Sequence, residues 1–457
     1  MVHLLEIMDR AWEGPFASAN DFDLKILVPK LRQVVKKYGI KYDPENPLSS
    51  DDDLADRVFK AGIELFAEVG VYCVDTSRII KFTEEEILEG LAEAPRCPVF
   101  GEGNDAKALV ARKPESEVEP WCFIGAGGAA VSNERLFESI LENYALFLPL
   151  ANSITTPTIK EIEGRIVRTK SPLEILACIR SSILARDALR KGGRPGLPIM
   201  NSIASAGSDT AKIAGSQFGL RPSDGWLIGT MAEMRINFER LNEITYVMNL
   251  GGHIVAETAP ILGGYCGGPE GVAVANVAYH LISILLMKGS CQLTFPIHLH
   301  YGCTSTRNVL WADSVSSQAI SRNSHFPFFI LNYVAAGPMT EMCFYEIAAT
   351  VINAVVSGAS IEFGGVAKAV EVDHFTPMEP RWASEVAHGV VGMSRSQGNE
   401  IVKKLLAKYE DNIPNAPKGK TYEQCWDMKT KQPIREYRHL YQKIKAELAE
   451  LGVRFKE

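Results

Sequence analysis

The sequence predicts an α/β fold, a (β/α)8 TIM-like barrel with added N- and C-terminal helices, and three observations lead to it. Between residues 119 and 373, eight short apolar runs are each followed by a Gly-, Ser- or Thr-rich turn and then by an amphipathic stretch. Strands alternating with helices make a parallel sheet, and at about eight strands closure into a barrel is the economical solution. A doubly wound open sheet is the competing closure. The flanking segments, 1–118 and 374–457, lack this alternation and read as a helical layer packed on the barrel and a C-terminal helical extension. With 457 residues, 46% hydrophobic and 23% charged, the chain can bury one large core.

In chain order, Asp53 to Glu68 stands out first: Leu54, Val58, Phe59, Ile63 and Phe66 recur at helical spacing and Gly70 follows as a terminator. Thr83 and Glu86 form the capping box of the next helix. The expected barrel strands are Trp121–Ile124, Leu146–Leu150, Leu197–Asn201, Trp226–Met231, His253–Glu257, Leu293–His300, Phe326–Asn332 and Ile361–Phe363. After the second of these, Ile159 and Ile162 precede a Glu163-Gly164 turn and Ile166 and Val167 follow it, the pattern of an inserted hairpin. Ser171-Pro172-Leu173-Glu174 reads as a capping box with proline at the first helical position, opening a helix that runs to Gly192-Gly193. The longest apolar run, Val272 to Met287, is broken by Asn276 and His280 and falls short of the roughly 20 residues of a bilayer span, so a buried helix is expected. Lys443 to Leu451 reads as a charged amphipathic helix ended by Gly452.

Charge and cysteine usage narrow the partners. A net charge of −7 without a run of Lys and Arg gives no footprint for nucleic acid or an anionic membrane. Small molecules and other proteins remain, and a homo-oligomer is expected. Nine scattered cysteines, an odd number without a CxxC pair, describe reduced thiols. The first residues carry Glu6 and no sustained apolar core of a signal peptide, so a cytoplasmic protein is expected.

Two motifs carry chemistry. Gly125-Ala126-Gly127-Gly128-Ala129-Ala130 follows a strand, but no acid stands about 20 residues later to take ribose hydroxyls, so a tight turn at the barrel rim is expected instead of a dinucleotide site. Pro296 to Cys303 is more informative. In a strand, His298 and His300 share a face, about 7 Å apart, at the end where a parallel barrel holds its chemistry. Glu257 ends the preceding strand, so Glu257, His298, His300 and Cys303 are candidate zinc ligands, against a hydrogen-bonded rim without metal. Asn332, Tyr333 and Glu362 extend the polar ring at later strand ends, while Glu341 reads as a first-turn helix acid. Met200, Leu227 and Leu331 make the mouth apolar.

Several segments resemble the corrinoid-dependent monomethylamine methyltransferase family: Gly70 to Glu84, GGYCGG at 263–268, PIHLHYGCTSTR at 296–307, AGPMTEMC at 336–343, GGVAKA at 364–369 and APKGKTYEQCWDMKT at 416–430. The family's fold is a (β/α)8 barrel with added helices, in agreement with the strand count. The resemblance implies methyl transfer to the Co(I) of a corrinoid (cobalamin) carried by a cognate partner protein docked over the barrel mouth. Family members place pyrrolysine, an imine that captures the amine, in a segment similar to GRPGLPIM, where this chain has Met200. Polar residues flanking pyrrolysine correspond to Leu227 and Leu331, Glu257 and His298 are kept, and His300 and Cys303 depart.

With amine capture removed, the burden falls on the leaving group. A phenolate, with a parent pKa of about 10, can leave if a proton or a Lewis acid neutralises its oxygen. The expected methyl donor is therefore an aryl methyl ether. Met200, Leu227, Leu331, Phe328 and Phe329 would line its ring, His300, Asn332 and Tyr333 would add donor contacts, and Glu257 with His298 would supply the proton or hold zinc. The alternative donor is a quaternary amine held by a cation–π box of Trp226, Tyr301 and Tyr333. Outside this chemistry stand a metal-dependent barrel hydrolase or lyase and a silent paralogue that only binds a corrinoid protein.

Overall fold

The structure, a computed structural model, describes residues 2–125, 127, 129–201, 207–366 and 371–455. Its centre is an eight-stranded sheet of Cys122–Gly125 (β1), Ser153–Thr155 (β2), Ile199–Asn201 (β3), Gly225–Gly229 (β4), His253–Thr258 (β5), Cys291–Thr294 (β6), Phe328–Val334 (β7) and Ser360–Val366 (β8). The order is β3-β2-β1-β8-β7-β6-β5-β4, and every neighbouring pair is parallel. The end strands β3 and β4 come together side by side, since a Cβ on Gly225 would meet Met200 Cγ at 3.1 Å and its Cα at 3.2 Å. Asp224 spans this seam. Its fully buried carboxylate accepts from the Ile199 N–H of β3 at 2.9 Å, from the Arg221 N–H at 2.7 Å and from the Arg186 guanidinium at 2.5 Å. The nearly closed TIM-like barrel expected from the strand count is what forms.

Seven of the eight expected strands overlap an observed one, and one does not. Leu146–Leu150 covers the end of the helix Glu134–Phe147 and the turn beyond it. Phe137, Ile140, Leu141 and Tyr144 are buried at three- and four-residue spacing, so the helical period prevails there, and the strand begins later at Ser153-Ile154-Thr155. Leu293–His300 also ends early. Beyond Thr294 only Ile297–His298 is extended, in a separate pair with Ile261–Leu262, because Pro296 has no N–H for the ladder. Glu161–Ile162 and Arg165–Ile166 form the inserted hairpin, with Glu163 and Gly164 at φ of 50° and 74°, as its two-residue turn requires. The capping box expected at Ser171 is absent. The Ser171 hydroxyl donates to Arg168 O, and Glu174 instead accepts from Lys170, Gly207 and Ser208.

The helix Pro269–Leu285 is buried at every position from Gly271 to Leu285, and among the described residues no helix is long and apolar enough to cross a membrane. The N-terminal helix Asp52–Val69 packs on it so closely that a Cβ on Gly62 would meet Val277 Cγ1 at 2.4 Å. Thr83 and Glu86 make the expected capping box. Val71–Cys73 pairs in parallel with Arg235–Ile236, tying the N-terminal segment to the chain beyond β4.

The C-terminal helix Met378–Gly389 brings Glu379 into the core, where it accepts from the Thr376 N–H at 2.7 Å and from the hydroxyls of Thr376 and, in the final helix Arg435–Glu450, Tyr437. Burial pushes this carboxyl up to about 7. The folded state therefore holds the proton more tightly than the unfolded chain, and the stabilisation present below pH 4.5 is lost as pH rises to about 7. Urea midpoints at pH 4.5 and 7 should show Glu379→Gln removing about 3 kcal/mol of that decline.

Candidate functional site

Inward-facing side chains of the strands build a barrel interior in layers. At the N-terminal end Phe100 closes the barrel against Trp121 (centroids 5.8 Å apart) and His253 (4.5 Å), and the Trp121 indole N–H donates to Ser153 Oγ at 2.8 Å. Above them Phe123 meets Phe329 edge-on at 5.8 Å, and Met200, Val255, Leu293 and Leu331 join the same cluster with Leu227 and Tyr333 packed against it. This apolar plug leaves the C-terminal ends of the strands as the approach to the interior. There the inward positions are Glu257, Tyr333 and Glu362, with glycines at 125, 229 and 364 between them.

Glu257 is half-buried on β5, and its Oε2 lies 3.1 Å from where a Cβ on Gly229 would sit, so a side chain there would displace it. Burial pushes its carboxyl up, opposed by Lys212 and Arg240. Both cations are held by Glu243: Lys212 Nζ at 3.2 Å and Arg240 at 2.5 Å, while Lys212 also donates to Leu227 O at 3.2 Å. Glu362 on β8 is 2% exposed, and among the described residues its Oε2 has no hydrogen-bond partner. Burial raises this carboxyl well above its ordinary range, and the charge of Glu257 acts in the same direction.

The barrel thus brings together Glu257, Met200, Leu227, Leu331 and Tyr333 of the expected site. Asn332 is wholly buried, and its amide donates to the backbone carbonyls of Ile330 at 3.1 Å and Glu362 at 3.0 Å, fastening β7 to β8. The expected zinc ligands do not converge. His298 Nδ1 accepts from the backbone N–H groups of His300 at 3.2 Å and Tyr301 at 3.4 Å, and its ring lies 4.6 Å from that of Tyr301. His300 is exposed in the same turn, and Cys303 closes that turn with its carbonyl, which accepts from the His298 N–H at 3.1 Å, while burial pushes its thiol, beside Ser305, up to about 11. The histidines do not share a strand face, because the chain turns back through Gly302, at φ 60°. Among the described residues no group of three or more His, Cys, Asp and Glu side chains is placed to hold a metal ion. The cation–π box does not assemble either: Trp226 packs in the outer core and Tyr301 in the rim turn, leaving Tyr333 inside.

Met200 is fully buried in the apolar layer. Met200→Lys is expected to lower stability by about 2–4 kcal/mol, measured by urea denaturation, because a charge must be desolvated there. The residues sequence reasoning passed over are Lys212, Asp224 and Glu346. The last, from the helix Glu341–Val356, accepts from Ser305 Oγ at 2.5 Å and from the N–H groups of Ala335 and Ala336 at 2.9 Å, joining the loops after β6 and β7. Their only trace in the sequence is a charged residue inside an otherwise apolar or small-residue stretch.

A barrel plugged at one end, with carboxyls on inward strand positions at the other, is the architecture of a barrel enzyme. The family described as "Monomethylamine methyltransferase MtmB" matches residues 2–453. Monomethylamine methyltransferase MtmB3 of Methanosarcina barkeri is 33% identical over 461 residues, covering 98% of each chain, and MtmB of Methanosarcina mazei is 32% identical over the same length and coverage. The crystal structure of the Methanosarcina barkeri monomethylamine methyltransferase superimposes with a TM-score of 0.94 at 31% identity, covering 99% of this chain and 98% of that one. A crystal structure of the hydroxylamine complex of MtmB superimposes equally well, with a TM-score of 0.94. The chain belongs to the monomethylamine methyltransferase MtmB family, and it is a methyltransferase.

Proposed function

We propose that the enzyme moves a methyl group from a methylated ammonium ion to the corrinoid of a cognate partner protein that docks at the open end of the barrel. The observation that carries this reading is Glu257, a carboxylate set on an inward position above a wholly apolar layer. A cation entering there gains Coulombic attraction in surroundings that screen it poorly. Phe123, Phe329 and Tyr333 offer ring faces and edges to its methyl groups, while Met200, Leu227 and Leu331 exclude water. When the C–N bond breaks, its electron pair stays on nitrogen and the amine departs neutral, so no imine is needed to capture it. This fits Met200 standing where the family resemblance expects pyrrolysine. The relatives' names support an amine donor.

The aryl methyl ether is the second reading, favoured by the flat apolar layer and by Glu362 as a source of a proton for a departing phenolate. The relatives reported above are named for monomethylamine. His298 belongs to the rim turn, and we assign it to shaping the approach of the acceptor. Incubation with Co(I) corrinoid and a panel of methylamines, tetramethylammonium and methoxyarenes, followed by cobalt absorbance, tests both readings. Transfer from ammonium donors alone is expected; transfer from methoxyarenes alone overturns the proposal.

A further inference from the structure

Glu362 and Glu257 sit on inward positions of β8 and β5 with an apolar layer beneath them. The register neighbours of Glu362 are Leu331 on β7 and Phe123 on β1, neither of which can take or give a hydrogen bond through its side chain. Its Oε1 lies 3.4 Å from where a Cβ on Gly364 would be, against a strand position without a side chain. Its Oε2 is buried and has no partner among the described residues, and Asn332 next to it gives its amide to the Glu362 backbone. Among the described residues, the groups that act on Glu257 are Lys212 and Arg240, both tied to Glu243, and Tyr333, whose phenol burial pushes up, stands on the inward face of β7. Two carboxyls that feel each other in such surroundings do not both ionise readily.

We infer that the two carboxyls hold a single proton, that Glu362 carries it, and that an ammonium ion entering the barrel takes the proton's place between them. Glu362 then gives its proton to bulk water as the cation binds, so one positive charge replaces another and no electrons move. Glu362 is accordingly a second binding acid of the site, and it favours permanent cations over neutral donors of the same shape. The proton's position stands independently of the donor, whereas the exchange rests on the ammonium reading.

Infrared difference spectra at pH 7 test the position. Beyond the stretch of the other raised, buried carboxyls, Glu379 and Asp313, which every variant shares, the wild type should show the C=O stretch of a further protonated carboxyl that Glu362→Gln lacks and Glu257→Gln keeps. Tetramethylammonium should remove that band, and calorimetry in two buffers of unlike ionisation heat should count one proton released per cation bound. The calorimetric count needs only the wild-type protein, so it stands even if a variant fails to fold. A wild-type spectrum minus that of Glu362→Gln without this band overturns the assignment whichever donors prove active. Binding without proton release, or no binding of tetramethylammonium, overturns the exchange. Methyl transfer from the donor panel is read separately, so its failure with ammonium donors while the band is present removes the ammonium reading and leaves the proton on Glu362.

Discussion

Glu257→Gln is expected to weaken the affinity for an ammonium donor by about 10²- to 10³-fold while changing kcat much less. Two unit charges about 4 Å apart at an effective dielectric near 20 attract by about 4 kcal/mol, and glutamine keeps the shape while removing the charge. The split between KM and kcat arises from where the charge goes. The donor is fully cationic when bound and loses its charge as the C–N bond breaks, so the carboxylate stabilises the ground state at least as much as the transition state. An acid that protonates a phenolate behaves oppositely, because the oxygen charge exists only in the transition state, and its loss would lower kcat by roughly 10²- to 10⁴-fold with little effect on KM. Because the phenolate acid of the ether reading is Glu362, steady-state kinetics on the folded Glu257→Gln and Glu362→Gln variants together distinguish the two donors. A fall in kcat at unchanged KM in Glu362→Gln would count against the ammonium ion.

Much of the barrel is legible because its strands are short apolar runs set between turn residues, and β4, β5, β7 and β8 fall where Trp226, His253, Phe328 and Ile361 mark them. The second strand is misplaced because Leu146, Phe147 and Leu148 are as apolar as a strand, and only the burial of Phe137, Ile140 and Tyr144 shows that they continue a helix. The site is legible where it depends on alternation within one strand. Leu331 and Tyr333 share the inward face of β7, and Glu362 sits between the outward Ile361 and Phe363. It is illegible where it depends on distance across the barrel. Glu257 and Glu362 are 105 positions apart in the chain, and nothing local says that their strands face each other. The histidine pair misleads for a local reason: the alternation rule holds only while the strand lasts, and the strand stops before Pro296.

Asp224→Ala is expected to cost about 3–5 kcal/mol of stability, the range for removing one partner of a buried ion pair. The loss has three parts in the structure. The Arg186 guanidinium, itself largely buried, loses its carboxylate at 2.5 Å and retains only carbonyl partners at Gly219, Pro195 and Leu197. The Arg221 N–H loses its acceptor at 2.7 Å. The buried Ile199 N–H loses the bond that ties β3 to the residue preceding β4. Asp224→Asn should lose less, because its remaining carbonyl oxygen can still accept from Ile199 while the charge is gone. Urea titrations of both variants check the order, and equal losses would mean that the charge contributes everything and the seam bond nothing. The seam also reaches the site. β3 carries Met200, which lies against Gly225 of β4, so loosening that edge moves one wall of the apolar layer on which the donor rests. Asp224→Asn is therefore also expected to weaken donor affinity severalfold in a protein that remains folded, and calorimetric titration of the folded variant measures that second effect apart from stability.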